Sequence, residues 1–141
     1  MAIELNQENR ALFEKMYKKC VTLAKKNSDL TQKTDRSIVA CAIIGQSGKM
    51  YTGLNVGWWH SSCAEHVALS NSWQGGERKL KYMMAVKVHK DTGEVQCIAP
   101  CGICRQMFMF LQPDIKVVVL DKKNNFKVYT IPQILPDVDD F

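Results

Sequence analysis

Hydrophobic and polar positions along the chain predict one long helix followed by a buried strand. From about Asn6 to Ser28, apolar residues recur at helical spacing and share one broad face. These residues are Leu12, Phe13, Met16, Tyr17, Cys20, Val21 and Ala24. The segment from Ile38 to Ile44 is continuously apolar, which is typical of a strand that is covered on both faces. The first third of the chain therefore predicts an amphipathic helix that packs beside a central strand.

The rest of the chain alternates between short strand patterns and helix patterns. Further strands are predicted at 50–56, 82–88, 116–120 and 126–130, helices at 63–73 and 101–111, and a short helical turn near Pro132. The turn "GQSGK" predicts that the first two strands form a hairpin. Strands separated by helices imply right-handed crossovers. We therefore expect an α/β fold, a three-layer α/β/α sandwich around a mixed five-stranded sheet, as a single domain over residues 1–141.

Composition and charge narrow the class of protein. Hydrophobic residues make up 46% of the chain and charged residues 23%, as in ordinary globular proteins. No apolar run approaches the roughly 20 residues that span a bilayer, and the N-terminus does not resemble a secretory signal, so we expect a cytoplasmic protein without a membrane partner. The net charge is +5, but the lysines are dispersed among acids. This dispersion argues against a nucleic-acid polymer as the partner.

Three of the six cysteines have spacing that predicts a metal site. Cys101 and Cys104 form a C-x-x-C pair, which in a reducing compartment indicates metal or redox chemistry rather than a disulfide. Cys63 and Cys101 each begin a predicted crossover helix, so both motifs should lie at the same edge of the sheet. Three thiolates can then converge on a zinc ion and leave its fourth position open. The helix N-termini should favour the thiolate forms.

Glu65, His66 and Arg105 are the predicted supporting groups. Glu65 lies two residues after Cys63, so its carboxylate should face the surroundings of the metal without binding it. A carboxylate there can take a proton from water and deliver it to a leaving group. Three thiolates give a Zn²⁺ site a formal charge of −1, and His66 and Arg105 are candidates to offset this charge from outside the ligand set.

These motifs resemble the zinc-dependent cytidine deaminase family. The resemblance rests on C-A-E at Cys63–Glu65 and P-C-x-x-C at Pro100–Cys104, supported by "TGLNV", "PCGICRQ" and the terminal "ILP". It implies a cytidine deaminase-like fold with one Zn²⁺ per subunit, and hydrolytic deamination at C4 of a free cytosine nucleoside to the uracil product and ammonia, with Glu65 as the proton carrier. The resemblance also implies substrate contacts at Asn55 and Ala64 and a homotetramer.

The sequence departs from the nucleoside deaminases at the expected sugar contacts. They usually carry N-x-E, but Asn55 here is followed two residues later by Gly57, and the usual Arg after C-A-E is replaced by His66. These departures are similar to the blasticidin S deaminase branch, which acts on a cytosine nucleoside analogue and gives an alternative substrate. By that resemblance Phe141 should reach the pocket of a neighbouring subunit. Trp58 should either wall the pocket or lie in a subunit interface.

Other interpretations of the cysteines remain open from the sequence. Cys97 could join the three predicted ligands in a closed structural zinc site, but it is expected on a strand that leads into the helix, from which its side chain would point into the core, as expected for Cys20 and Cys41. A thioredoxin-like redox role would explain Cys101 and Cys104 but not the C-A-E motif. A purely binding or structural module would give Glu65 no role. His60 is expected to be exposed rather than a ligand.

Overall fold

A computed structural model describes residues 6–30, 37–57 and 61–135, which form one mixed sheet with helices on both faces. The strands are β1 (Ser37–Gly45), β2 (Met50–Leu54), β3 (Leu80–His89), β4 (Val95–Ile98), β5 (Lys116–Leu120) and β6 (Phe126–Thr130). The helices are α1 (Gln7–Lys26), α2 (Ala64–Gln74), α3 (Gly102–Leu111) and the short α4 (Ile131–Ile134), with a 3₁₀ turn at Ser28–Leu30. None of the described helices is long and apolar enough to cross a membrane.

The sheet has the order β2-β1-β3-β5-β6, and β4 pairs with β3 outside this path. β1 is antiparallel to both β2 and β3, β3 and β5 are parallel, and β5 and β6 are antiparallel. The predicted hairpin and the mixed sheet are thus confirmed.

The prediction of five strands was wrong by one, because β4 pairs as a sixth strand. It is antiparallel to the second half of β3, from Val95 opposite Val88 to Ile98 opposite Ala85. β5 occupies the first half, opposite Tyr82 and Met83. A four-residue strand with a polar residue inside it carries little periodic signal, so the sequence pattern did not separate it from the segment leading into α3.

Helix α1 forms one outer layer. Asn6 caps its start, where Oδ1 accepts a hydrogen bond from the Asn9 N–H at 2.8 Å. Four fully buried α1 residues pack against one face of the sheet: Phe13, Met16, Cys20 and Ala24. The Phe13 ring meets the Tyr82 ring edge to face, with centroids 5.0 Å apart. The spacing predicted from the sequence is therefore the spacing that builds this half of the core.

Helices α2 and α3 form the other outer layer, so the predicted three-layer sandwich is confirmed. Ala68 and Leu69 of α2 and Phe108 of α3 pack with Cys41 and Ile43 on the opposite face of the sheet from α1. α2 begins directly after Cys63 and α3 directly after Cys101, and both cysteines have the extended backbone of N-cap residues. The fold thus brings the starts of two crossover helices to one edge of the sheet.

Candidate metal centre and cavity

The two helix starts place three cysteine sulfurs in one cluster. The Sγ atoms of Cys63, Cys101 and Cys104 all lie within 4.8 Å of one another, and those of Cys63 and Cys101 are 3.8 Å apart. Tetrahedral zinc with Zn–S bonds of about 2.3 Å requires sulfurs separated by about 3.8 Å. The spacing therefore fits a zinc ion with three thiolate ligands.

The electrostatics of the cluster also fit a cation. Burial raises the pKa of Cys63, opposed by a hydrogen bond with Cys104 and reinforced by Cys101 and Glu65, and burial and then Glu65 raise the pKa of Cys104. Burial acts in the same direction on Cys101, but the N–H groups of Cys104 and Ile103 and the neighbouring thiols outweigh it and lower the pKa of Cys101. The predicted effect of a helix N-terminus is therefore seen at Cys101 but not at Cys63, where burial outweighs it. At the other two sulfurs a divalent cation would offset the cost of placing negative groups together.

The sulfur cluster is open on one side, where it borders a cavity of about 280 Å³. Cys63, Cys101 and Glu65 line this cavity, whereas Cys104 is buried behind them. A structural zinc site is closed by four protein ligands, but a catalytic one keeps a position for water or substrate. The arrangement of the cluster is that of a catalytic site.

Glu65 lies on the first turn of α2 with its side chain only 4% exposed. Burial raises the pKa of its carboxyl, while the Cys104 thiol and the charge on His66 act in the opposite direction. The carboxyl thus stands at the boundary between the sulfur cluster and the cavity. It is placed to exchange a proton with a molecule held in the cavity.

His66 and Arg105 support the cluster in different ways. His66 Nε2 lies 4.0 Å from Cys104 Sγ and can donate a hydrogen bond to that sulfur. The Arg105 side chain instead donates to two backbone oxygens, from Nε to Pro100 at 2.7 Å and from one terminal nitrogen to Ile134 at 2.8 Å. Arg105 therefore holds the backbone that precedes Cys101 and ties it to α4.

Among the predicted substrate contacts, Asn55 and Ala64 line the cavity. Asn55 Oδ1 accepts a hydrogen bond from the Val39 N–H at 2.9 Å, so the amide NH₂ group is the part of this side chain left to donate elsewhere. Trp58 and Phe141, predicted as further contacts, lie outside the described residues, as does His60.

Cys97 does not join the sulfur cluster. It lies on β4 and packs with the core residues on the α1 side of the sheet, whereas Cys104 belongs to the core on the other side. The alternative of a closed four-cysteine zinc site is therefore not supported. Cys20 and Cys41 are fully buried free thiols, as expected.

Several site residues were not anticipated from the sequence. Val39, Ser61, Ser62, Ile98 and Ala99 also line the cavity. Ser62 is held there by paired backbone hydrogen bonds with Val56. No motif marks these positions, because they reach the cavity through the packing of β1, β4 and the loop before α2.

Gly53 is a second feature that sequence motifs did not explain. A Cβ atom at this position would lie 2.4 Å from the backbone nitrogen of Ala68 and 2.8 Å from the carbonyl oxygen of Ala64. Only a glycine allows the backbone of α2 to lie this close to β2. Because α2 carries Glu65 and follows Cys63, Gly53 sets their distance from the rest of the cavity.

We expect Gly53→Ala to lower the free energy of unfolding by about 1–3 kcal/mol, because backbone atoms of α2 must move to admit a methyl group. Zinc should also bind more weakly, since Cys63 moves with α2. Urea unfolding and competition with a chelator measure the two effects. Gly102→Ala is the control, since a Cβ there meets no atom within 4 Å. Unchanged stability and zinc affinity in Gly53→Ala would contradict the role assigned to this glycine.

Comparison with known proteins identifies the family. The sequence model described as "Cytidine and deoxycytidylate deaminase zinc-binding region" matches residues 13–121. A cytidine deaminase of Mycoplasma pneumoniae is 31% identical over 102 residues, which span 69% of this chain and 73% of the relative. One of Halalkalibacterium halodurans is 29% identical over 102 residues, spanning 70% and 74%.

A solved structure agrees with these sequence matches. The crystal structure of cytidine deaminase from Mycobacterium leprae matches with a TM-score of 0.69 and 26% identity, covering 89% of this chain and 98% of that one. The resemblance seen in the sequence motifs is confirmed, and Cys63, Cys101 and Cys104 form a potential metal site in a chain that matches a zinc-binding family. The chain belongs to the zinc-dependent cytidine and deoxycytidylate deaminase family.

Proposed function

We propose that this protein hydrolyses the C4 amino group of a free cytosine nucleoside, cytidine or deoxycytidine, to give the uracil nucleoside and ammonia. The observation that carries this proposal is the buried carboxyl of Glu65 beside three sulfurs at the wall of a nucleoside-sized cavity. The relatives named above are cytidine deaminases, which supports the same reaction.

The described residues divide the work of this reaction. The sulfurs of Cys63, Cys101 and Cys104 would hold the zinc ion. Zinc is a Lewis acid, and the chemistry it supplies when bound is to lower the pKa of water to about 7. Glu65 carries both protons of the attacking water in turn: the first goes to the ring nitrogen beside C4, and the second, taken from the new hydroxyl on C4, goes to the amino group, which leaves as ammonia. The buried position of its side chain keeps bulk water from competing for those protons.

Asn55 and Ala64 are assigned to substrate binding. The contact with Val39 fixes the Asn55 amide, so that its NH₂ group can donate to a hydroxyl of the sugar. Ala64 adds a small side chain next to Cys63, which leaves room for the flat pyrimidine. Trp58 and Phe141 stay predictions for stacking on the base and for closing a neighbouring subunit's pocket.

The cavity favours a nucleoside over a nucleotide. Its described lining carries no Lys or Arg, and its charged or acidic groups are Glu65 and the thiols of Cys63 and Cys101. A phosphate placed among these groups would meet like charge without a partner, which costs several kcal/mol.

A blasticidin S deaminase activity is the second candidate. Gly57 lines the cavity where the nucleoside deaminases usually carry a carboxylate for the sugar. Its missing side chain leaves space for the altered sugar of a nucleoside analogue, while the chemistry at C4 stays the same.

We also propose a homotetramer that acts in pyrimidine salvage in the cytoplasm. Ile103 is 69% and Phe110 52% exposed on α3, and such apolar surface suits burial between subunits. All six cysteines are free thiols, which suits a reducing compartment.

The proposal is tested by incubating zinc-loaded protein with cytidine, deoxycytidine, cytidine monophosphate and blasticidin S. Loss of the absorbance of the 4-amino pyrimidine and release of ammonia report turnover. We expect kcat/KM for at least one plain nucleoside to exceed that for the monophosphate about 100-fold, because the phosphate has no cationic partner. Turnover of blasticidin S alone would select the second candidate. No turnover of any of these substrates by zinc-loaded protein would overturn the proposed substrate class.

A further inference from the structure

A second cavity, of about 510 Å³, lies at the opposite end of the sheet from the sulfur cluster. The starts of β3 and β5 and the loop after α3 form its walls, whereas the catalytic cavity lies at the start of α2 and beside Val39 and Ile98, which pair with the second half of β3. The two cavities share no lining residue. Nothing in the proposed reaction uses this second space.

The side chain of Gln112 holds the walls of the second cavity in place. Gln112 is almost fully buried, and its Oε1 accepts a hydrogen bond from the Leu80 N–H at 3.1 Å. Its Nε2 donates to the carbonyl oxygen of Arg78 at 2.7 Å. The loop after α3 and the segment that enters β3 are therefore fixed relative to each other before any ligand arrives.

The lining is strongly cationic. Among the described residues, it contains Arg78, Lys79, Lys81 and Lys116 but a single acidic residue, Asp114. The Arg78 guanidinium donates to the backbone oxygens of Trp73 and Glu77, and Lys116 Nζ donates to the backbone oxygen of Asp114. These contacts orient the two side chains without neutralising their charge. No ion pair to any of the four cations is found among the described residues.

Apart from Gln46 and Gln112, the remaining lining is apolar or aromatic. Leu80, Tyr82, Leu111 and Pro113 contribute carbon surface beside the cationic groups. A cavity with an apolar wall and four cations, two of them oriented by hydrogen bonds, suits a ligand with a flat or apolar body and an anionic group. Phosphate esters with an apolar or flat group have this character, whereas an apolar ligand without a charged group would leave the four cations without an anionic partner.

We propose that the second cavity binds a phosphorylated small molecule with a flat ring. The phosphate would lie among Arg78, Lys79, Lys81 and Lys116, and the ring would pack against Leu111 and Tyr82. Binding here needs neither zinc nor the catalytic cavity. The proposal therefore stands or falls independently of the deaminase reaction.

Calorimetric titration of the intact, zinc-loaded protein with adenosine 5′-monophosphate, adenosine and pyrophosphate tests the proposal. Adenine carries its amino group on a fused two-ring purine, which is larger than the single pyrimidine ring for which the catalytic cavity is proposed, and the charge-reversal variants assign the binding measured with these probes to one cavity or the other. We expect the monophosphate to bind at least about tenfold more tightly than adenosine, and added salt to weaken it. Pyrophosphate should compete with it, because both offer the phosphate group.

Paired charge reversals locate the site. The double variant Lys79→Glu with Lys81→Glu should weaken binding of the monophosphate at least about tenfold. The control is Lys122→Glu with Lys123→Glu, which makes the same change in net charge in the exposed turn between β5 and β6. Equal binding of adenosine and its monophosphate, no binding of either, or equal weakening by both double variants would overturn the proposal.

Discussion

Replacing Glu65 by Gln should abolish most turnover while leaving the fold and the zinc in place. The two side chains have the same shape, so the buried position beside Cys104 remains filled. The amide cannot accept and return protons, and proton transfer by a positioned group is worth about 10²–10⁴-fold in rate. We therefore expect kcat to fall by about that factor, measured as loss of the 4-amino chromophore, with zinc content and melting temperature close to those of the wild type.

Glu77→Gln is the matched control for this experiment. Glu77 is another buried carboxyl, and it accepts a hydrogen bond from the Ser47 hydroxyl between the β1–β2 turn and the start of β3. It does not line the catalytic cavity. The control should retain full turnover. If the Glu65→Gln variant kept its zinc and its kcat lay within tenfold of that of the wild type, Glu65 would not be the proton carrier.

The sequence predicted the elements whose pattern is periodic and long. The apolar positions of α1 recur at helical spacing because one face of this helix covers the sheet. β5 and β6 were predicted with their observed bounds, since each is a compact apolar or β-branched run between turn residues. The zinc site was predictable for a related reason: three cysteines at helix starts have few other uses in a reducing compartment.

The features that were missed depend on tertiary contact. β4 is recognisable only once β3 offers it an unpaired edge. Gly53 looks like an ordinary strand glycine until the backbone of α2 is found against it. Arg105 was expected to offset the charge of the thiolates, but its hydrogen bonds go to backbone oxygens that no local pattern specifies. Spacing along the chain indicates which residues can meet, while packing decides what each side chain contacts.

The same distinction applies to the second cavity. Its four cations come from the entry to β3 and the start of β5, and in the sequence they are part of a dispersed set of lysines. Their concentration around one space results from the parallel pairing of β3 with β5. Net charge counted along the chain could not reveal it.

Loss of one zinc ligand should remove activity and most of the stabilisation that zinc provides. We expect Cys104→Ser to bind zinc at least about 100-fold more weakly, because removing even an outer partner of a ligand costs 10–100-fold. Its turnover should fall to background. A metal that binds only the folded state stabilises it by about 4 kcal/mol at 1,000 times Kd, and a 100-fold weaker site gains at most about 1.4 kcal/mol at the same concentration, so zinc should raise the melting temperature of the wild type much more than that of this variant.

Cys41→Ser separates loss of the ligand from damage to the core. Cys41 and Cys104 are both fully buried thiols on the same side of the sheet, so each substitution places a hydroxyl in an apolar setting and should lower the stability of the zinc-free protein. Only Cys104 belongs to the sulfur cluster. Thermal unfolding of both variants with and without zinc should therefore show a full zinc-dependent shift in Cys41→Ser and a much smaller one in Cys104→Ser. An equal shift in the two variants would mean that the metal is held without Cys104, and the three-thiolate site would have to be abandoned.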